Sequence, residues 1–385
     1  MVGEPDHLRL LDLFSGIGGF HLGLARAGHK IGWSGFCEID KYASAVYRRR
    51  FPNAQELGDV RSVQPERDLP DHIDVLCGGF PCQSFSIAGK RRSFEDTRGT
   101  LFFEIARILK YYRDVGRPIS YFILENVKGL YSAGDHSVLP TIYGILTDLD
   151  YTVESQLLNT RWVLPQNRER IFLVGYTGGG SGSKIFPIGE TSQVTNHRNA
   201  EVASTLQHPG HSVGNYRGMT MIVHNTQTRN PNRPSLTRKC DCGSGKLYKK
   251  CCGSDGGSGH ISKDDGTTYC LDTGNTQAVE INAVLAPDRT NKKQNGRRIK
   301  KDGEPMFTLT GQDKHGISIN QSSIRRLTPK ECERLQGFPD DWTSEGIING
   351  EIVKMSDTQR YKQCGNAVTV DIVSLVASHI PRGQQ

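Results

Sequence analysis

Leu8-Arg9-Leu10-Leu11-Asp12-Leu13-Phe14-Ser15-Gly16-Ile17-Gly18-Gly19 is the stretch whose reading decides the fold. Residues 8–14 form an apolar run of the length expected for a buried strand. The glycines supply a tight turn, and residues 20–27 read as a helix with Gly28 just past its end. Strand, glycine turn and helix in that order open a nucleotide-binding α/β unit, because glycine lets a ligand approach the backbone closely. A second run, 31–37, ends at Glu38. A carboxylate there, about 20 residues after the turn, suits the two hydroxyls of a ribose. Gly58-Asp59-Val60 reads as the end of a third short strand facing the same ligand.

Further along the chain, Ile73-Asp74-Val75-Leu76-Cys77 reads as a buried strand leading into Gly78-Gly79-Phe80-Pro81-Cys82-Gln83-Ser84-Phe85-Ser86. A cysteine after a proline at a strand exit is where an α/β enzyme can place a nucleophile. The alternative is a loop cysteine without a role. Residues 91–100 are polar and basic, fit either for a solvated loop or for phosphate contact in a flap. Leu101, Phe102, Ile105, Ile108, Leu109 and Tyr112 make a helical core stripe. Residues 119–124 form another buried strand ending in Glu125-Asn126-Val127, and 139–149 reads as a helix. Residues 151–158 and 170–175 read as the last two strands, with Gln166-Asn167-Arg168-Glu169-Arg170 between them. Those arginines suit structural salt bridges or a substrate carbonyl or phosphate.

The composition changes at Thr177, after which Gly178-Gly179-Gly180-Ser181-Gly182-Ser183 reads as a flexible linker. Residues 178–320 carry 19 Lys and Arg against 12 Asp and Glu, so the net charge of +7 resides entirely in that stretch. A polyanion such as nucleic acid is the natural partner of such a face. Residues 219–223 and 278–285 suggest small strands in a separate, loop-rich domain. Thr328, Pro329 and Glu331 then make a capping box with proline at the first helical position, and this helix ends at Gly337. Gln363-Cys364-Gly365-Asn366-Ala367-Val368 leads into an apolar helix through Ile380 that can return to the first domain.

No apolar run reaches 18 residues and the start has no basic-then-apolar signal, so a membrane span is excluded and the expected location is the cytoplasm. Ten cysteines in that compartment read as free, catalytic or metal-bound rather than disulfide-paired.

Taken in order, six stretches resemble the DNA (cytosine-5) methyltransferase family, of bacterial or phage type. They are residues 12–20, 79–86, 125–127, 166–170, 326–339 and 363–368. The resemblance covers almost all of 8–177 and 321–380. It implies an α/β class I methyltransferase fold, Rossmann-like with a mostly parallel sheet, and a smaller loop-rich target-recognition domain. The implied domains are 1–177 for catalysis and cofactor, 178–320 for target recognition, and 321–385 returning to the catalytic domain. It implies S-adenosylmethionine as methyl donor, with Phe14 against the adenine, Gly16 and Gly18 beside the methionine part, and Glu38 on the ribose. Asp59 and Val60 would flank the adenine, and Leu101, Asn366 and Val368 would complete the pocket.

The implied chemistry explains the residue types. Carbon 5 of cytosine is a poor nucleophile. Addition of the Cys82 thiolate at carbon 6, with a proton or hydrogen bond from Glu125 at nitrogen 3, makes carbon 5 enamine-like. Arg170 would hold the 2-carbonyl and orient Glu125, and Arg168 would support the site. The base lies inside double-stranded DNA and must be flipped out, with residues 83–98 closing over it. Gln83, Ser84, Ser86 and Arg98 are the implied DNA contacts there. Thr308-Leu309-Thr310 resembles the recognition region's Thr-Leu element, with Ser204-Thr205-Leu206 as a second candidate. A monomer is expected, with a cognate restriction endonuclease as a possible partner in the same system.

One departure lies within residues 239–253, where Cys240, Cys242, Cys251 and Cys252 resemble the SEC-C zinc motif. Four thiols in two close pairs can surround one tetrahedral zinc, a structural rather than catalytic arrangement because no position stays open. Competing functions are a non-catalytic zinc-containing DNA-binding protein, a relative acting on tRNA, and a nicotinamide oxidoreductase. Cys82, Glu125 and Arg170 speak against the first, and the long basic insertion favours duplex DNA over tRNA. The oxidoreductase fits only the first 40 or so residues.

Overall fold

A computed structural model of the chain describes residues 7–81, 101–133, 137–177, 185–189, 281–289, 297–301, 304–319 and 323–381. The chain divides into two compact units. One comprises Met1–Asn196, Thr308–Gln312 and Thr328–Gln385; the other comprises His197–Phe307 and Asp313–Leu327. Residues 178–196 and 308–312, expected in the basic region, therefore group with the first unit, and 321–327 with the second.

The first unit holds a sheet of β1 (His7–Leu13), β2 (Lys30–Cys37), β3 (Gln55–Gly58), β4 (Val75–Gly79), β5 (Tyr121–Val127), β6 (Thr152–Asn159) and β7 (Glu169–Tyr176). Their order is β3-β2-β1-β4-β5-β7-β6. The first five strands pair in parallel, whereas β7 runs antiparallel to both β5 and β6. The reversal has a local cause: β6 turns back into β7 through residues 160–168, a hairpin connection, and hairpins join antiparallel strands.

The helices are α1 (Gly19–Arg26), α2 (Lys41–Arg50), the single turn α3 (Pro65–Asp68), α4 (Leu101–Asp114) and α5 (Val138–Thr147). After them come α6 (Pro329–Leu335), α7 (Asp357–Asn366) and α8 (Val370–Ala377). Strand side chains alternate between two cores, as pleating requires. Leu11, Leu13, Leu76, Phe122 and Leu124 meet the apolar stripe of α4 and the inner face of α5. Leu10, Val75, Cys77, Ile123 and Phe172 meet α1 and α8. Burial on both faces explains why these strands read as continuous apolar runs. Each fully buried large apolar side chain contributes about 1.5–3 kcal/mol. The C-terminal helix does return to the start of the chain: a Cβ on Gly23 would overlap Val373.

The C-terminal segment differs in detail from expectation. The capping box is present, with Thr328 N donating to Glu331 Oε2 at 2.7 Å and the Thr328 hydroxyl accepting from Glu331 N. Residues 363–366 close α7 rather than leading into one helix, and extended Ala367 separates α7 from α8. An unanticipated hairpin, β11 (Glu345–Ile348) and β12 (Glu351–Lys354), turns at Asn349-Gly350, both at positive φ as its two-residue turn demands.

In the second unit, β8 (Ile281–Leu285), β9 (His315–Ile319) and β10 (Ser323–Arg326) form an antiparallel sheet in the order β10-β9-β8. The strand expected over 278–285 corresponds to β8, while 219–223 lies outside the described residues. Among the described residues no helix is long and apolar enough to cross a membrane.

Candidate active site

The strand order of the first unit reverses between β1 and β4, and the C-terminal strand ends at such a switch point are where open α/β sheets form a ligand crevice. Phe14 leaves β1 at φ 54°, followed by Gly16 at φ 55° and Gly18 at φ 86°, a left-handed turn that glycine accommodates. A Cβ built on Gly16 meets nothing within 4 Å, so the turn borders open space. Glu38, at the exit of β2, ties this turn down. Its Oε2 accepts from Gly16 N and its Oε1 from Asp40 N, both at 2.8 Å. Burial pushes the Glu38 carboxyl above its ordinary range, against the lowering effect of these amides. Ile39, beside it, is 75% exposed, an apolar surface that sequence reading passed over.

Beneath the turn lies Asp12, fully buried, to which the Tyr47 hydroxyl donates at 3.3 Å. Burial holds the Asp12 carboxyl well above the usual carboxylate range.

The remaining expected donor-pocket residues take several positions. Phe14 lies near Gly78 at the end of β4, and Val368 abuts Gly19, so the C-terminal segment does reach the glycine turn. Leu101 opens α4 half-buried against the first core. Val60 is buried in that core. Asp59 is taken up by Arg61, whose guanidinium holds the carboxyl below its ordinary range. Asn366 is the exposed last residue of α7.

The second end of the crevice is built on β4, β5 and β7. Gly79 lies in register with Glu125, and a Cβ there would sit 3.3 Å from Glu125 Oε2. The absent side chain leaves the carboxyl facing the path by which the chain leaves β4. Arg170, from the neighbouring β7, brings its Nε to 3.0 Å from Glu125 Oε1. The pair is an ion contact rather than a linear hydrogen bond, since Glu125 Oε1 has no well-directed donor. Both side chains remain partly open to solvent.

Asn126, buried beside Glu125, donates through Nδ2 to Phe80 O at 3.0 Å. It thereby fixes the backbone two residues before Cys82, a role visible only once β4 and β5 are side by side. Cys82, Gln83, Ser84, Ser86 and Arg98 lie outside the described residues, as do Cys240, Cys242, Cys251 and Cys252. Among the described residues no cluster of His, Cys, Asp and Glu could hold a metal ion.

Arg168 does not join Arg170 at Glu125. It is 3% exposed, and its guanidinium donates to Leu309 O at 2.9 Å, Gly365 O at 3.2 Å and Ala367 O at 2.8 Å. Burial, with the charge of Arg170, pushes its pKa down to about 9, against the pull of Glu125. Arg168 therefore joins backbone segments distant in sequence. Thr308 and Leu309 are also engaged inside the first unit. The Thr308 hydroxyl donates to Asn167 O, and Leu309, 2% exposed, donates its N–H to Gln166 Oε1 at 2.9 Å. Thr310 is half-buried beside them.

Residues 8–382 match the family described as C-5 cytosine-specific DNA methylase. The type II methyltransferase M.HpaII of Haemophilus parainfluenzae is 33% identical over 381 aligned residues, spanning 97% of this chain and 89% of its own length. The orphan methyltransferase M.SPRI of Bacillus phage SPR is 31% identical over 438 residues, spanning 96% of each. Among solved structures, a putative DNA modification methyltransferase from an E. coli prophage superposes with a TM-score of 0.51 at 20% identity, over 97% of this chain and 98% of its own. The Entamoeba histolytica methyltransferase EhMeth gives 0.52 at 14% identity over 97% of each, a likeness of fold.

Proposed function

This chain belongs to the C-5 cytosine-specific DNA methylase family, and from that membership we propose how its residues divide the work of methylating cytosine at carbon 5 in DNA. The methyl donor of such an enzyme is S-adenosylmethionine, which when bound supplies an electrophilic methyl group on a sulfonium. The glycine turn and Glu38 fit that group. The space beside Gly16 admits a ligand against the backbone, and Glu38 presents a buried carboxyl at its edge. Ile39 offers an apolar surface to a purine ring, with Phe14, Val368 and Asn366 nearby roles in the same pocket.

The observation that carries the catalytic assignment is the Glu125–Arg170 pair, 3.0 Å apart, in register with Gly79 at the exit towards Cys82. Cys82 adds as thiolate to carbon 6 of a flipped cytosine. Glu125 protonates or hydrogen-bonds nitrogen 3, and Arg170 orients Glu125 while donating to the 2-carbonyl. Carbon 5 would then accept the donor's methyl group, leaving S-adenosylhomocysteine; the carbon-5 proton would pass to a solvent base, nitrogen 3 would return its proton to Glu125, and the Cys82 thiolate would be eliminated. The basic second unit selects the DNA site, and Thr310 of the first unit contributes to that contact. Gln83, Ser84, Ser86 and Arg98 contact the duplex as the flipped base is enclosed.

We further infer that Cys240, Cys242, Cys251 and Cys252 bind one structural zinc, on the chemistry of four closely spaced thiols. Purified without chelator, the protein should carry about one zinc per chain; a metal-free, folded preparation would defeat this part.

Transfer of labelled methyl from S-adenosylmethionine to unmethylated DNA tests the main reading. The Cys82→Ser variant should retain DNA binding and lose turnover. Near-normal turnover in that variant would overturn the covalent route. Methylation of tRNA in place of DNA in a side-by-side assay would redirect the substrate assignment.

A further inference from the structure

Four segments separated in sequence are joined by a buried polar clasp that the catalytic assignment leaves unused. Gln166, fully buried, donates through Nε2 to Leu335 O and Gln336 Oε1, each at 3.3 Å, and accepts from Leu309 N. Gln336, also fully buried, donates to Cys364 O at 2.8 Å and accepts from the Thr369 hydroxyl at 3.0 Å. Its own carbonyl accepts from Val370 N at 3.0 Å. The Thr160 and Thr369 hydroxyls lie 2.9 Å apart; with Thr369 donating to Gln336, Thr160 donates to Thr369.

The clasp fixes a register as well as a contact. Apolar surfaces can slide past one another at small cost, whereas each buried donor or acceptor left without a partner costs about 1–3 kcal/mol. Shifting Thr308–Gln312 against residues 364–370 would orphan the groups on Gln166 and Arg168 together. The backbone fit is equally restrictive: a Cβ on Gly365 would overlap the Thr310 carbonyl carbon and Gly311 nitrogen, and one on Gly311 would lie 2.9 Å from Asn366 Oδ1. Thr308–Gln312 is thus seated directly on the segment that ends in Asn366. It is flanked at both ends by chain of the second unit, since Phe307 and Asp313 both belong there.

We propose that Gln166 and Gln336 are positioning residues for methyl transfer. They hold Thr308–Gln312 on Gly365–Ala367 so that Thr310, on the DNA side, and Asn366, on the donor side, keep a fixed separation. The proposal rests on the roles given above to those two residues. Its consequence is coupling: loosening the clasp weakens donor and DNA binding while the Cys82, Glu125 and Arg170 chemistry continues.

The test uses the full-length protein with Gln336→Met, Gln166→Met and the double variant, each assayed well below its own melting temperature. Binding of S-adenosylhomocysteine without DNA is read by calorimetry, and binding of a labelled unmethylated duplex by fluorescence anisotropy. Gln336→Met should weaken S-adenosylhomocysteine binding and raise KM for the donor about tenfold, the scale of one net hydrogen bond, with kcat nearly unchanged. Gln166→Met should do the same chiefly to DNA binding. The double variant should lose less than the product of the two, as interacting neighbours do. Gln166→Asn, which keeps a neutral amide able to donate and accept, should lose less DNA binding than Gln166→Met and serves if the methionine variant does not fold. Lower melting temperatures with wild-type binding of both probes would overturn the proposal and leave the clasp a stabilising device only. Failure of the unmodified protein to methylate DNA would strike the catalytic reading instead, while the two binding measurements would still decide on the clasp.

Discussion

The two ends of the crevice are built on different principles. The end proposed for the methyl donor is made from backbone and nearby sequence: Phe14 to Gly18, and Glu38 reaching back 22 residues to Gly16 N. The end proposed for the reaction is made from side chains brought together across long separations. Gly79, Glu125 and Arg170 come from three strands, and Arg168 spans 141 residues to Leu309 and 199 to Ala367. Damage to the first should therefore appear as lost binding of a small molecule, and damage to the second as lost turnover.

The sharpest test of this contrast is Glu125→Gln. Turnover should fall by about 10²–10⁴-fold, the usual worth of a positioned acid, while S-adenosylhomocysteine binding is unchanged. A parallel loss of binding by calorimetry would break the separation of the two ends. Next, Glu38→Ala removes the acceptor shared by Gly16 N and Asp40 N. S-adenosylhomocysteine binding should weaken about 10–100-fold, the range for hydrogen bonds to a charged group. Unchanged affinity would show that the turn holds its shape without Glu38.

A smaller effect is expected at Asn126→Ala, which frees the Phe80 carbonyl. Steady-state kinetics should show kcat reduced about tenfold with KM for the donor preserved, as loss of one positioning hydrogen bond implies. A change in donor KM alone would place Asn126 at the wrong end.

The smallest effect concerns pH and stability. His21 stacks on Phe51 and lies 3.0 Å from the Tyr47 hydroxyl, and burial lowers its pKa to about 4. The unfolded chain binds a proton at about pH 6.5, before the folded protein does. The stability contributed by neutral His21 is thus complete above that pH and is lost as pH falls from about 6.5 towards about 4. Melting temperatures at pH 7 and pH 5 should fall less for His21→Gln than for the unmodified chain. An equal fall would remove His21 from the acid response.

Several elements were legible because their causes are local. The apolar runs became β1, β4 and β5, and the helical stripe from Leu101 became α4. Thr328 and Glu331 capped α6 from four consecutive residues. The Asn349-Gly350 hairpin carried an equally local signal that the reading did not use. The antiparallel turn of β7 and the break between α7 and α8 were not legible, because pairing direction and helix ends there depend on neighbours from elsewhere in the chain.

Arg168 and Arg170 show the boundary most plainly. In sequence they are two basic residues of one short motif. In the fold, Arg170 meets the Glu125 carboxylate from the adjacent strand, whereas Arg168 is enclosed and donates to three carbonyls. Sequence alone determined the kinds of groups present: a glycine turn, a ribose-type carboxylate, a thiol after proline, an acid and two arginines, in an order that defines the family. Only the tertiary structure decided which arginine meets Glu125 and which holds the backbone. Hydrogen-bond partners are chosen by distance in space, and long-range strand order, not spacing along the chain, sets that distance.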